Sequence, residues 1–185
     1  MKFDKTKLIY IFPAIVILTI VSCLIIFSIS GNRSFYRYSG QIKQYAERNN
    51  LDPAFVAALM QAESGFDKNA ISDKGASGLM QLMPETAEYI AGRIGYDKKI
   101  NLRSAECNIC LGTAYLAYLY DKFDNETVVL CAYNAGEGRV VGWLKDSACS
   151  IDGINLLYIP FSETRKYVER VRKYKLKYER VYKAN

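Results

Sequence analysis

The residues that could do chemistry begin at Glu63. It closes the apolar run Phe55, Val56, Ala58, Leu59, Met60, Ala62 and stands directly before Ser64–Gly65. On a helix it falls on the column that starts at Val56, one turn beyond Leu59 and Met60. Apolar neighbours disfavour the ionised carboxylate, and the negative end of a helix macrodipole disfavours it again. A glutamic acid that keeps its proton near neutral pH is a general acid, able to protonate a leaving-group oxygen. The chain has no histidine, which removes the commonest general base and a common metal ligand. Acid–base work therefore falls to Glu, Asp, Tyr, Lys or Cys. A surface glutamate turned to solvent is the alternative that the helix alone leaves open.

The surroundings favour a carbohydrate site. The stretch "SDKGASGLMQLMPETA" is rich in glycine and small polar residues. Gly75 and Gly78 permit close backbone approach to a ligand. Gln81 offers a donor and an acceptor, which sugar hydroxyls and acetamides require. Further along, "CAYNAGEGRVVGWL" supplies Tyr133 as a stacking face and Asn134 as an amide. Aromatic faces with amide side chains make a glycan groove.

These residues must be positioned by helices. The chain has 185 residues, 50% of them hydrophobic and 13% aromatic, enough for one domain with a sizeable core and too apolar for disorder. Gly40–Asn49 reads as a short amphipathic helix. Asp52–Pro53 is an N-cap followed by proline at the first helical position, and Gly65 is the stop. Pro84 opens a helix ending at Gly95. Ser104 caps a long one through Phe123, with Leu111, Tyr115, Tyr118, Leu119 and Phe123 on its apolar side. Asn125 caps Glu126–Ala135, stopped by Gly136, and Val140–Leu144 is a further short helix. Residues 146–159 read as irregular. A last helix starts at Ser162, with Tyr167, Val171, Tyr174, Tyr178 and Val181 as a core-facing stripe. No strand alternation or internal repeat is found, and the fold class is all-α.

The order Glu63–Ser64, "GASGLMQLMPETA", "AYNAG" and "IPFSETRKYVERV" resembles the soluble-type lytic transglycosylases of glycoside hydrolase family 23, with a goose-type-lysozyme-like domain. The resemblance runs from about Gly40 to Lys173. It implies that Glu63 is the single catalytic acid and that Ser72, Gln81 and Met83 line the glycan cleft. It implies that Tyr133 and Asn134 lie in the same cleft and that Tyr167 hydrogen-bonds the catalytic glutamate. The implied substrate is the peptidoglycan glycan strand. The implied reaction cleaves the β-1,4 bond between N-acetylmuramic acid and N-acetylglucosamine and leaves a 1,6-anhydro end, with no metal and no cofactor. A hydrolytic muramidase using the same cleft and a non-catalytic wall-binding module are the alternatives. Cys131 stands where the family more often has alanine, and 146–159 aligns with nothing.

The N-terminus reads as a separate element. Leu8–Ile29 is an uncharged run of 22 residues, about 33 Å as a helix and sufficient for a bilayer core of about 30 Å. Lys2, Lys5 and Lys7 precede it, which favours a cytoplasmic N-terminus. The expected organisation is a cytoplasmic tail (1–7), a transmembrane signal-anchor (8–29), a linker (30–39) and an extracytoplasmic catalytic domain (40–185) at the cell membrane. The alternative is a lipoprotein, since "IVSC" resembles a lipobox ending at Cys23. Cys107, Cys110, Cys131 and Cys149 remain, as buried thiols or as disulfides. The net charge of +6 resides in the segment from Glu163 onward, where nine basic residues meet three acidic ones. That basic helix is a solvated face or is drawn to anionic lipid or wall polymer. Nucleic acid is not an expected partner, and protein partners in the wall remain unassigned.

Overall fold

The structure, a computed structural model, describes residues 5–183, with side chains described for 15–22 and 34–183. The described chain is helical: α1 (Lys5–Arg48), α2 (Pro53–Glu63), α3 (Pro84–Ile94), α4 (Ala105–Phe123), α5 (Glu126–Ala135), α6 (Glu137–Lys145) and α7 (Ser162–Lys183). No strand occurs among the described residues. The nearest approach is a pair of isolated antiparallel bridges, Ile71 with Ser77 and Ser77 with Leu82. The chain divides into two compact units, Met1–Arg37 and Tyr38–Asn185.

In the first unit the aliphatic side chains between residues 15 and 21 point outward. Ile15, Val16, Ile17, Leu18, Ile20 and Val21 are all exposed. Thr19 Oγ1 and Ser22 Oγ turn back to donate to the carbonyls of Val16 and Leu18, each at 2.8 Å. Among the described residues no helix is long and apolar enough to cross a membrane. Most side chains of the expected crossing, 8–29, lie outside those described, and so does that of Cys23.

The boundary between the two units, after Arg37, falls within the expected linker, 30–39, and those residues are helical rather than irregular. They lie within α1, and Gly40–Asn49 is largely the end of that same helix. The reason is local: no proline lies between Pro13 and Pro53, and isolated glycines cost a helix only about 1 kcal/mol each. From Tyr38 onward the helix is amphipathic, burying Tyr38, Ile42, Tyr45 and Ala46, a spacing that lines one face.

The second unit is built around α2. Asp52 caps it by accepting from the Ala54 N–H at 2.8 Å, Pro53 takes the first position, and every residue from Ala54 to Met60 is buried. A helix apolar on all sides belongs in the middle of a core, and α7 packs on it. Tyr178 Oη donates to Gln61 Oε1 at 2.9 Å and Tyr167 Oη to Glu63 Oε1 at 2.6 Å. Of the expected α7 stripe, Tyr167, Val171 and Tyr178 are buried, whereas Tyr174 and Val181 are half-buried. A second cluster joins α3 to α4 through Leu82, Ala87, Ile90, Ala91, Cys107, Leu111 and Ala114. Gly136 ends α5 and at the same position starts α6, so the short helix begins at Glu137, earlier than Val140. Ser104 stands at the N-cap of α4 without a side-chain capping bond. The four cysteines after Cys23 are free and buried.

The long loop between α2 and α3 is pinned to α4 by one buried amide. Asn108 Oδ1 accepts from the Met80 N–H at 2.7 Å, and its Nδ2 donates to the carbonyls of Ser77 (2.9 Å) and Leu102 (3.0 Å). Gly78 is the residue that admits this contact. Its φ is +81°, and a Cβ there would lie 2.1 Å from the Leu102 oxygen and 2.3 Å from Asn108 Nδ2. The close approach that Gly78 permits is therefore to the protein itself and not to a ligand. Asn108→Ala leaves the Met80 N–H and the Leu102 carbonyl without this partner and is expected to cost about 2–4 kcal/mol, read by urea denaturation of the full chain in detergent.

Candidate active site

Glu63 is the last residue of α2, and the chain turns sharply away from it. Gly65 (φ +61°) and Phe66 (φ +67°) both adopt left-handed backbone. Ser64 Oγ donates to the Leu79 carbonyl at 2.8 Å, which ties the residue after Glu63 to the loop. Leu79 and Met80 are fully buried. Met80 lies against α4 where Gly112 has no side chain; a Cβ at that position would sit 2.4 Å from the methionine sulfur. Helix end and loop are thus fixed against one another, and the carboxyl group lies between them.

The cleft that Glu63 opens on measures about 600 Å³ and also takes in Ser72, Gln81, Met83, Tyr133 and Asn134. Six of the seven residues singled out in the sequence therefore meet in one cavity. The seventh, Tyr167, is buried and donates its hydroxyl to the Glu63 carboxyl.

The polar atoms of these residues are partly spent on the protein. Gln81 has φ +48°, and its Nε2 donates to the carbonyls of Ala70 (3.1 Å) and Gly78 (3.0 Å). Its amide nitrogen holds the loop, and Oε1 is the atom left for a ligand. Tyr133 Oη donates to the Met80 carbonyl at 2.8 Å, so Tyr133 offers its ring. Asn134 Oδ1 accepts from Thr164 Oγ1 at 2.9 Å, which leaves Nδ2 as its donor. Ser72 Oγ accepts from the Ala76 N–H at 3.0 Å.

Other cleft residues went unread in the sequence. Tyr115 appears there as part of an apolar helical face, yet it stands in the cleft wall with its ring 5.2 Å from that of Tyr133. Arg139 and Glu163 also line the cavity. The "SETR" segment marks Glu163 only as the first acidic residue of a helix, so its position in the cleft had no separate signal. Asn108 is the positioning residue that sequence reading missed. Its signal is a single amide in the apolar segment "CNICLG", where a buried polar side chain must find partners.

The electrostatics centre on Glu63. It is half-buried by area, yet protein surrounds the carboxyl closely. Burial pushes its pKa up to about 7, opposed by the hydroxyl of Tyr167 and the charge of Arg170. The loss of hydration is the one influence that raises it. Tyr133 and Tyr167 are both pushed well above the usual phenol range, first by burial and then by the nearby Glu63 charge. They stay protonated and serve as donors. The arrangement holds one exchangeable proton near neutrality beside an aromatic wall and a set of amide groups. It can protonate a neutral oxygen and, once ionised, take a proton back.

A family model, that of the transglycosylase SLT domain, matches residues 40–151. This chain belongs to the SLT domain family. The soluble lytic murein transglycosylase of Escherichia coli K12 is 40% identical over 142 residues, covering 74% of this chain and 22% of that protein. The membrane-bound lytic murein transglycosylase C of Edwardsiella ictaluri is 31% identical over 170 residues, covering 79% of this chain and 47% of the relative. Among solved structures, the 70 kDa soluble lytic transglycosylase of E. coli superposes with a TM-score of 0.69 at 36% identity, covering 78% of this chain and 24% of the other. The helical fold is that of the SLT domain. The chain spans about a fifth of the length of the E. coli soluble relative it matches.

The displaced pKa makes stability pH-dependent. A carboxyl raised from 4.5 to about 7 binds its proton more tightly in the folded chain than in the unfolded one. The folded state therefore loses stability as pH rises between those values. Glu63→Gln cannot ionise. Its stability is expected to match the parent near pH 4 and to exceed it above pH 7 by roughly 3 kcal/mol at most. Urea unfolding of both proteins at pH 4 and pH 8 checks this.

Proposed function

We propose that the chain is a peptidoglycan lytic transglycosylase with Glu63 as both acid and base. The observation that carries the reading is the Glu63 carboxyl, held by Tyr167 and desolvated to a pKa of about 7, opening on a glycan-sized cleft. The names of the relatives support it, since those proteins act on murein.

In this reading the protonated Glu63 gives its proton to the β-1,4 oxygen between N-acetylmuramic acid and N-acetylglucosamine. The bond to C1 breaks and the substrate acetamide stabilises the cationic sugar. The Glu63 carboxylate then takes the proton of the C6 hydroxyl, and O6 closes on C1. The product is a 1,6-anhydro end; one proton is given, one is recovered and no water is consumed. Tyr167 positions the carboxyl throughout. The ring of Tyr133, Gln81 Oε1, Asn134 Nδ2, Ser72 and Met83 hold the strand.

Glu163 supports a second reading. Hydrolysing glycosidases commonly use two carboxylates, and Glu163 lines the same cleft. As a hydrolytic muramidase the protein would activate water there and leave reducing ends.

Digestion of purified sacculi by the full chain in detergent separates the two. The proposal expects internal-ether termini; reducing ends, heavier by one water, would favour hydrolysis. Glu63→Gln is expected to lower turnover by roughly 10³-fold or more while glycan binding persists. Because the protonated form acts first, kcat/KM should fall tenfold per pH unit above about pH 7, and an unchanged rate at pH 9 would exclude Glu63 as the acid.

We further propose that residues 8–29 anchor the chain in the cytoplasmic membrane. Residues 1–7 then lie in the cytoplasm, and the catalytic unit from about residue 40 to 185 lies outside. Support comes from the charge-free run Leu8–Ile29, from the outward aliphatic side chains of 15–21 and from a relative named as membrane-bound. Cys23→Ala distinguishes the two modes of attachment. The variant should remain in the membrane fraction if the helix is the anchor, and should leave it if a lipid on Cys23 is.

A further inference from the structure

We propose that the cleft continues past Tyr115 onto a tyrosine platform, Tyr118 and Tyr89, that binds one further saccharide unit of the glycan strand. The inference rests on the reading of the main cleft as a glycan site.

A second cavity of about 310 Å³ is lined by Glu85, Thr86, Tyr89, Tyr115, Tyr118 and Glu137. Thr86 and Tyr115 line the main cleft as well, so the two cavities share a wall. The rings form an unbroken row. Tyr133 lies 5.2 Å from Tyr115, Tyr115 is stacked on Tyr118 at 6.2 Å with planes 19° apart, and Tyr118 meets Tyr89 edge-on at 5.7 Å. One end of the row touches the site around Glu63. The other is the 51% exposed ring of Tyr89.

Tyr89 is held in place despite its exposure. The Arg93 guanidinium sits 4.9 Å from the Tyr118 centroid and 5.8 Å from that of Tyr89, so both rings are fixed before any ligand arrives. Preorganised rings lose little freedom on binding. A pyranose has an apolar C–H face and a rim of hydroxyls. Ring faces with carboxylate acceptors beside them suit both, and Glu85 and Glu137 supply the acceptors. The charges here balance locally, because Glu137 pairs with Lys122 at 3.2 Å and Arg93 lies on the rings. A neutral sugar fits that balance better than the cationic side chain of a peptide stem.

The test uses the full chain carrying Glu63→Gln, in detergent, with peptide-free N-acetylglucosamine oligomers of increasing length in a calorimeter. Affinity should rise with length until the oligomer reaches the platform. Adding Tyr89→Ala should erase that last increment, about fivefold to tenfold, and leave shorter oligomers unaffected; Tyr89→Phe should restore it. Two results overturn the platform while leaving the main cleft intact: no gain from added units, or an unaltered length dependence in Tyr89→Ala. If no oligomer binds and the parent chain leaves sacculi uncut, the glycan reading of the main cleft fails and the platform falls with it.

Discussion

Removing the Glu63 carboxyl from water is the constraint from which the rest of the site follows. An ordinary glutamate is ionised at neutral pH and has no proton to give. Here burial raises the pKa, and two groups work against it: the Tyr167 hydroxyl and the Arg170 charge. Tyr167 is thus not what keeps the proton in place, since a donor to a carboxylate favours the ionised form. Its effect is geometric. A 2.6 Å bond from a fully packed phenol fixes where the carboxyl points, and desolvation decides whether it is charged.

Desolvation needs walls that do not move, which explains where the polar side chains around the site have gone. Asn108 ties the loop to α4, Gln81 Nε2 ties it to itself, and Tyr133 Oη and Ser64 Oγ tie it to neighbouring elements. Each of these bonds engages a backbone group of the loop, and leaving such a group buried without any partner costs about 1–3 kcal/mol. The loop can then lie close to Glu63, with Gly78 at the point where a side chain would collide. What remains for a ligand is a few selected atoms on a rigid frame.

Much of this was legible in the chain, for identifiable reasons. Asp52–Pro53, Asn125, Gly95 and Gly136 fix helix ends through local chemistry, and local chemistry can be read from a few residues. Glu63 was legible because a carboxylate at the end of an apolar face is anomalous. What could not be read depends on distant partners. Asn108 meets residues 28 and 31 positions away, so its neighbours in sequence say only that it is buried. Gln81 and Gly78 are sugar-like in type, and only their position shows that they serve the loop. The helical state of 30–39 went unread because polar composition only weakly opposes a helix, whereas proline would have ended it. Tyr115 fell on the apolar face of α4 and also in the cleft wall, because a tyrosine can pack with one side of its ring and present the other.

The same logic accounts for the charge on α7. Its net positive charge stands out in the sequence, but several of its cations are engaged in the fold. Lys175 pairs with Glu126 at 2.6 Å, Arg172 donates to Thr127, and Arg165 donates to the carbonyls of Ile159 and Pro160. Arg170 acts further, since it lowers the Glu63 pKa and lies 5.6 Å from the ring centroid of Tyr167. A helix without that cation would leave the carboxyl more reluctant to ionise. A group that must first donate a proton and then accept one works best when neither form is strongly favoured. In Glu63, burial supplies the upward pull, and the Tyr167 hydroxyl and the cationic helix supply the counterweight. The basic character of the C-terminal segment is therefore, in part, a property of the site.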